Sequence, residues 1–213
     1  MSCPICGKRP PKRFCPAKGE KICALCCGQE REVTIDCPVD CAHLISAHRY
    51  ETEHRKPPSA QEFPYREVQV EPDFVYEHWH VIHSLASLIL RSHIQNKELT
   101  DSTAIAAIEA LAVTYRTLGT GIYYERPPDA PMARALYDQL TETLQESRQA
   151  EAAHTGLPAL RDSEVFRLLV FFVRVAKQET NGRRLSRAFL EFLRARFPLP
   201  AEEAKEEPRI IVP

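Results

Sequence analysis

Apolar residues follow two different patterns along the chain. From residue 74 onward they recur at steps of three and four residues, which places them on one face of an α-helix. The first 48 residues have no such period, and residues 49–73 are charged, contain prolines and are weakly periodic. The predicted organisation is a small N-terminal domain at 1–48, a linker at 49–73, an all-α domain at 74–198, and an acidic tail with an apolar end at 199–213.

The all-α domain is predicted to be a bundle of about five helices joined by short loops. Capping residues and prolines mark the starts of these helices. The five predicted starts are Phe74, the run 100–102, Pro131, the pair Asp162 and Ser163, and Leu185. The fourth helix is apolar on nearly all faces, so it is expected to lie at the centre. In the linker, the alternating sequence YREVQV at 65–70 predicts a short strand.

All eight cysteines of the chain lie between Cys3 and Cys41. Two C-x2-C pairs and one C-x3-C pair account for six of them. Two thiolates from one tight turn can occupy adjacent corners of a tetrahedral metal site, and the glycines that follow the first two pairs tolerate the positive φ of such turns. Eight thiolates divide into two four-thiolate sites, which predicts two Zn²⁺ ions. The predicted ligands are Cys3, Cys6, Cys15, Cys23, Cys26, Cys27, Cys37 and Cys41.

The N-terminal domain has too few apolar residues to fold on hydrophobic burial alone. They are Ile5, Phe14, Ile22, Leu25, Val33, Ile35, Val39, Leu44 and Ile45. A structural zinc ion contributes on the order of 10–16 kcal/mol at pH 7, which is enough to stabilise such a domain. The alternative is a set of disulfides or unused thiols. The N-terminal sequence lacks the apolar stretch of a secretory signal, so we expect a cytoplasmic, reducing location in which disulfides rarely persist.

The stretch C-P-I-C-(x7)-F-C-x-x-K-x-x-x-x-C-x-x-C, from Cys3 to Cys26, resembles the first two-thirds of a B-box zinc finger. The resemblance implies a cross-brace, in which the first and third ligand pairs share one zinc ion and the second and fourth pairs share another. Carried over by position, one site holds Cys3, Cys6, Cys23 and Cys26. Cys15 then begins the second site.

The second site departs from the B-box pattern at its other ligands. Lys18 stands where that family has the partner of Cys15, and the last pair is Cys37 and Cys41 in place of histidines. Cys27 is the expected substitute, because adjacent side chains of an extended segment point in opposite directions. The alternative ligands are His43 and His48.

A cluster of basic residues follows the first cysteine pair and offers phosphate contacts. Residues 1–56 carry ten Lys and Arg against seven Asp and Glu, a net charge of +3, whereas the whole chain has a net charge of −1. Two four-thiolate zinc sites add about −2 each and bring the domain close to neutral. A solvated surface is therefore favoured over nucleic-acid binding. The nucleic-acid alternative uses Lys8, Arg9, Lys12 and Arg13.

A group of histidines in the helical domain allows a third function, an enzyme with a His-lined site. Glu77 and His80 have the i, i+3 spacing of di-iron helices, and His83 follows one turn later. The same spacing recurs elsewhere and is therefore weakly specific. The recurrences are Glu51 with His54 and Glu151 with His154. The chain has no Gly-rich phosphate loop, nucleophile elbow or H-E-x-x-H motif, so imidazoles on a polar helix face are the favoured interpretation.

The favoured function is that of a zinc-binding intracellular adaptor or regulatory protein that acts through protein–protein interaction, because a rigid zinc-stapled surface loses little conformational entropy on association. The apolar IIVP sequence at 210–213 is a candidate docking peptide for its own bundle or for a partner. The vicinal pair Cys26–Cys27 is interpreted as two metal ligands in preference to a redox switch. The longest strongly apolar run, 168–173, is far shorter than the roughly 20 residues of a membrane span. The oligomeric state stays open.

Overall fold

The computed structural model describes residues 2–56, 63–119, 121, 123–155 and 160–199. In these residues the chain is mostly helical, with one two-stranded sheet near its N-terminus. The strands are β1 (Arg13–Cys15) and β2 (Glu20–Ile22). The helices are α1 (Ala24–Glu30), α2 (Ala42–Glu53), α3 (Pro72–Glu77), α4 (Trp79–Gln95), α5 (Asp101–Leu118), α6 (Pro131–Thr155), α7 (Asp162–Glu179) and α8 (Ala188–Arg196). None of the helices in the described ranges is both long enough and apolar enough to cross a membrane.

Residues 2–48, called the finger, are built around the antiparallel hairpin of β1 and β2. Strand alternation leaves Phe14 more than half exposed and turns Cys15 and Ile22 inward. Of the nine apolar residues that the sequence offers for a core, Ile22, Ile35 and Leu44 are buried and five are exposed. The apolar core of the finger is therefore too small to stabilise it alone.

The helical domain is organised around α5, which packs against α6, α7 and α8. The fully buried Ala104, Ala107 and Ala112 of α5 let these neighbouring helices approach closely, because their side chains are small. On α7, the predicted central helix, seven residues are buried. They are Val165, Leu168, Leu169, Val170, Phe172, Val173 and Ala176. A helical bundle is consistent with this arrangement.

The single helix predicted from Phe74 is divided at His78. α3 ends one residue before it and α4 begins one residue after it. The imidazole Nδ1 of His78 lies 2.9 Å from the carbonyl oxygen of Phe74, which places the ring against α3. Glu77 and His80 consequently belong to two different helices, and the helical i, i+3 relation predicted for them is wrong.

The strand predicted at 65–70 is absent, and segment 63–70 contacts α7. The guanidinium of Arg174 on α7 donates hydrogen bonds of 2.8–3.1 Å to the carbonyl oxygens of Pro64, Tyr65 and Val68. These bonds satisfy backbone acceptors that a neighbouring strand would otherwise satisfy.

Asp101 lies in the capping run that predicts the start of α5, but its carboxylate caps α8. The backbone N–H groups of Phe189 and Leu190 donate to its two oxygens at 3.1 and 3.3 Å. The Ser186 hydroxyl donates to the same carboxylate at 2.7 Å. Asp101 is fully buried. Its side chain therefore joins the start of α5 to the start of α8, more than 80 residues later.

The N-cap predicted for α7 is wrong. The cap residue is Arg161, in place of Asp162 or Ser163. Its backbone N–H donates to the Glu164 carboxylate at 2.7 Å, so an acidic side chain closes the first turn. Glu164 thus lies at the N-terminal end, where the helix dipole favours a negative charge.

Candidate metal centre

Two tight turns bring the two C-x2-C pairs, Cys3 with Cys6 and Cys23 with Cys26, to one place. In the first turn, the Gly7 N–H donates to the Cys3 carbonyl at 2.7 Å, and Gly7 has the positive φ of 64° predicted from the sequence. The second pair begins directly after β2, where Cys23 is the N-cap of α1 and Cys26 lies one turn into that helix. Gly28, predicted to serve a similar turn, is a residue of α1 and has no positive φ.

The Sγ atoms of Cys3, Cys6, Cys23 and Cys26 all lie within 4.8 Å of one another. Those of Cys6 and Cys23 are 4.0 Å apart. A tetrahedral ion with metal–sulfur bonds of about 2.3 Å needs sulfur atoms about 3.8 Å apart. The four thiols can therefore bind one metal ion with small side-chain adjustments.

Backbone N–H groups stabilise negative charge on these sulfurs. The Cys23 N–H donates to Cys3 Sγ at 3.3 Å, and the Cys26 N–H donates to Cys23 Sγ at 3.4 Å. The backbone N–H groups of Lys8 and Arg9 lower the pKa of Cys6 to about 6. Burial raises the pKa of Cys3, but the N–H donors around its sulfur outweigh this effect and leave the pKa lowered.

The pKa of Cys26 is shifted in the opposite direction. Burial, together with the three neighbouring thiols, raises its pKa to about 12. Four thiolates this close repel one another, so without metal the group retains protons, and a bound divalent cation would displace them.

The four-thiol group has the character of a structural site. Cys3, Cys23 and Cys26 are buried and Cys6 is half-buried. Four cysteine ligands complete a tetrahedral shell and leave no open position for substrate or water. The chemistry it supports is the cross-linking of the first turn to β2 and α1.

The predicted second set, Cys15, Cys27, Cys37 and Cys41, does not converge to the same degree. Among the described residues, the first set is the one group of three or more His, Cys, Asp or Glu ligand atoms that lie this close. Burial raises the pKa of Cys37, and the neighbouring Cys41 and Cys15 raise it further. The Arg13 guanidinium lies 3.8 Å from Cys27 Sγ. Cys27 is on α1, so the extended segment predicted around it is wrong.

Glu32 attaches the finger to the helical domain. It is 2 % exposed and has a φ of +54°, which is uncommon for a glutamate. Its carboxylate accepts a 2.8 Å hydrogen bond from the Asn181 side chain and lies 3.0 Å from His48 Nε2. Its carbonyl oxygen accepts from the Leu185 N–H at 2.8 Å. His48, an alternative metal ligand in the sequence, is thus engaged by a carboxylate.

Three arginines of the 181–187 loop extend this contact along the finger. Arg183 donates to the Arg31 carbonyl, Arg184 donates to the Val33 carbonyl, and Arg187 donates to the Asp36 carboxylate. Arg187 also donates to the Lys97 carbonyl at 2.7 Å, just after α4. No local sequence pattern indicates these contacts, because the partners lie about 150 residues away along the chain.

Replacing His48 by Gln is expected to destabilise the protein more at about pH 6 than at about pH 8.5. The hydrogen bond to Glu32 raises the pKa of His48 above 6.5, whereas the pKa of Glu32, despite its burial, is lowered below 4.5 by His48. The stabilisation is therefore complete between about pH 4.5 and 6.5, and it is lost as pH rises through the raised pKa of His48. We expect H48Q to lower the free energy of unfolding by about 1 kcal/mol more at pH 6 than at pH 8.5.

Denaturant titrations of the metal-loaded protein measure this difference. In an E32Q background the pH dependence of the His48 effect should disappear, since the ion pair is already gone. An effect of H48Q that does not vary with pH contradicts the assignment.

The structure does not bring the other candidate residues together as a group of metal ligands among the residues it describes. His83 lies 3.4 Å from the Ser87 hydroxyl and against the Phe197 ring, and no group of potential metal ligands includes it or His80. Glu51 pairs with Arg183. Lys8, Arg9 and Lys12 are exposed, Arg13 is half-buried, and His43 lies half-buried on α2. The side chains of Glu151 and His154, and the IIVP sequence at 210–213, lie outside the described residues.

Comparison with known proteins identifies no relative. No family model matches the chain, and no curated protein or solved structure matches it significantly.

Proposed function

We propose that this chain is a zinc-dependent binding protein, in which the finger and the helical domain together form a groove for a segment of a partner protein. The observation that carries this proposal is the groove between the two parts, to which the finger contributes Val39. The closed four-thiol group supports a structural role for the metal, because no ligand position is open for catalysis.

The metal at the four-thiol group is proposed to be Zn²⁺. Four thiolates in a tetrahedral arrangement are the donor set preferred by zinc or by an iron–sulfur centre. Zinc is the better fit for a small domain with few apolar residues, since zinc binding stabilises folds of this kind.

A second zinc ion, which the B-box resemblance implies, is proposed at Cys15, Cys27, Cys37 and Cys41. Three of these residues pack in the same small core of the finger, where Cys15 is buried and Cys27 and Cys37 are partly buried. Cys41 is buried at the N-cap of α2. The pairing of His48 with Glu32 leaves Cys27 as the favoured fourth ligand.

Native mass spectrometry of the purified protein is expected to detect two zinc ions. Replacing Cys37 by Ser should leave one ion, whereas replacing the exposed Ser46 by Ala should leave both. A wild-type protein with a single ion, retained in C37S, would remove the second site and leave the first intact. Iron in place of zinc would contradict the identity of the metal.

The groove has a volume of about 420 Å³ and is lined mainly by apolar side chains. Val39 comes from the finger, Leu90 and Ile94 come from α4, and Leu190 comes from α8. Because Val39 belongs to a loop held by metal ligands on both sides, the shape of the groove depends on the folded finger.

Charges around the groove indicate the chemistry of its occupant. Lys97 and Arg194 contribute positive charge at its lining, and Glu191 contributes one negative charge. An apolar side chain flanked by carboxylates would complement this surface. The proposed occupant is therefore an acidic segment of a partner protein with one or two large apolar residues.

Selection of random displayed peptides on the metal-loaded protein tests the groove. We expect enrichment of sequences in which Leu, Ile or Phe is flanked by Asp or Glu. Val39 is 47 % exposed, so V39E should fold and weaken binding of a selected peptide at least about tenfold, because it places a carboxylate in the groove. V113E, at a similarly exposed valine on α5, is the matched control. Peptides without this pattern, or equal effects of the two variants, would contradict the proposal.

A further inference from the structure

We propose that the hairpin of the finger binds single-stranded nucleic acid, with one base stacked on Phe14. The ring of Phe14 is 56 % exposed at the centre of a two-stranded sheet. It lies directly opposite Lys21, which is also exposed. The fold does not bury this ring, although the finger has very few apolar residues with which to build a core.

Basic residues are concentrated in the segment that carries the exposed ring. Residues 2–22 contain six Lys and Arg and one acidic residue, Glu20. Five of the six basic side chains are exposed, and none of the five forms an ion pair with a carboxylate of the described residues. They are Lys8, Arg9, Lys12, Lys18 and Lys21.

Arg13 has a different role from these five residues. It is half-buried, and its guanidinium lies 3.8 Å from Cys27 Sγ. The cluster expected from the sequence, Lys8, Arg9, Lys12 and Arg13, is therefore replaced by a surface that loses Arg13 and gains Lys18, Lys21 and the aromatic ring.

Two of the five acidic residues of the finger contact the helical domain. Glu32 faces Asn181, and Asp36 pairs with Arg187, so both carboxylates lie at the contact with the helical domain. The finger is close to neutral as a whole, but its charge is unevenly distributed along the chain. Residues 2–22, which carry the exposed ring, have a net charge of +5 from six Lys and Arg and one Glu. Average charge therefore does not exclude nucleic-acid binding at the hairpin.

A flat ring among cations is the combination that binds single strands. Phosphates contact the cations, while an unstacked base packs on the ring with little sequence preference. In a duplex the bases are already stacked on each other and are not available to Phe14. The expected ligand is therefore single-stranded RNA or DNA, with affinity that falls as salt concentration rises.

Fluorescence anisotropy with labelled 15-nucleotide oligo-U and oligo-dT tests this site on the full, metal-loaded chain. Binding is expected at low salt, and the two polymers distinguish RNA from DNA. Replacing Phe14 by Ala or by Leu should weaken binding about 5- to 100-fold, whereas F14Y should retain it, because stacking needs an aromatic ring. Zinc content and helical circular dichroism confirm that each variant is folded.

Charge variants complete the test. Replacing Lys12 and Lys21 by Ala should reduce the dependence of log Kd on log salt by roughly one for each lysine, whereas K56A, distant from the hairpin in sequence, should not change it. The proposal is overturned if no binding occurs at low salt, if a duplex of equal length binds as tightly, or if F14L binds like the wild type. Displacement of the oligonucleotide by equimolar polyglutamate would assign the surface to an acidic protein instead.

Discussion

Removal of the metal under reducing conditions is expected to unfold the finger and leave the helical core folded. A structural zinc contributes about 10–16 kcal/mol to domains of this size. In the finger, Ile22, Ile35 and Leu44 are the buried side chains among its nine Ile, Leu, Val and Phe residues, which is far too small a core to replace that contribution. The helical domain keeps its own apolar core around α5 and α7, so it should not unfold with the finger.

Hydrogen exchange measured by mass spectrometry distinguishes the two parts. After chelation, the amides of residues 2–48 should exchange rapidly, and those of α5 and α7 should stay protected. Leu185 should also lose protection, because its N–H donates to the Glu32 carbonyl in the finger. Zinc-saturated chelator is the control, and added zinc should restore protection. A finger that stays protected without metal, with all thiols reduced, contradicts the structural role of the site.

Replacement of Asp101 by Ala is expected to lower the free energy of unfolding of the helical domain by about 3 kcal/mol. The variant loses a carboxylate that accepts from the Ser186 hydroxyl and from two backbone N–H groups of α8. Removal of a helix cap costs up to about 2 kcal/mol, and buried donors left without a partner add about 1–3 kcal/mol. The effect should exceed that of an ordinary cap because Asp101 is fully buried and water cannot replace it.

Denaturant titration of the metal-loaded protein measures this loss. D138A, an exposed position on α6, is the matched control and should change stability by less than about 0.5 kcal/mol. D101N keeps a hydrogen-bond acceptor without the charge, and its stability should lie between those of D101A and D138A. If D101A were as stable as D138A, Asp101 would not be the residue that holds α8.

The cysteine spacing predicted the four-thiol group because each pair is a local feature. Cys3 and Cys6 are joined by one turn, and Cys23 and Cys26 by the first turn of α1. The assembly of both pairs then requires only the short hairpin between them. The second set has no such local frame, since its members lie on β1, on α1 and on either side of a loop. The sequence alone therefore left its geometry open.

The helices were also predicted from local patterns, and those patterns did not show which distant residues contact each other. A stripe of apolar residues at helical spacing is a property of neighbouring residues, so the regions of α4 to α8 could be recognised. Capping residues, by contrast, were assigned to the nearest helix. Asp101 shows why that fails, because a buried carboxylate can bind N–H groups of any helix start that packing brings to it.

By itself, the sequence determined the metal-binding chemistry of the first two pairs, the poverty of the finger in apolar residues and the helical character of the rest. These are consequences of spacing and composition over a few turns of chain. The tertiary structure alone decided that Glu32 accepts a hydrogen bond from Asn181, that Asp101 caps α8, and that Phe14 stays exposed on a basic surface. Contacts between residues 88 to 149 positions apart depend on how the helices pack, and no local pattern encodes them.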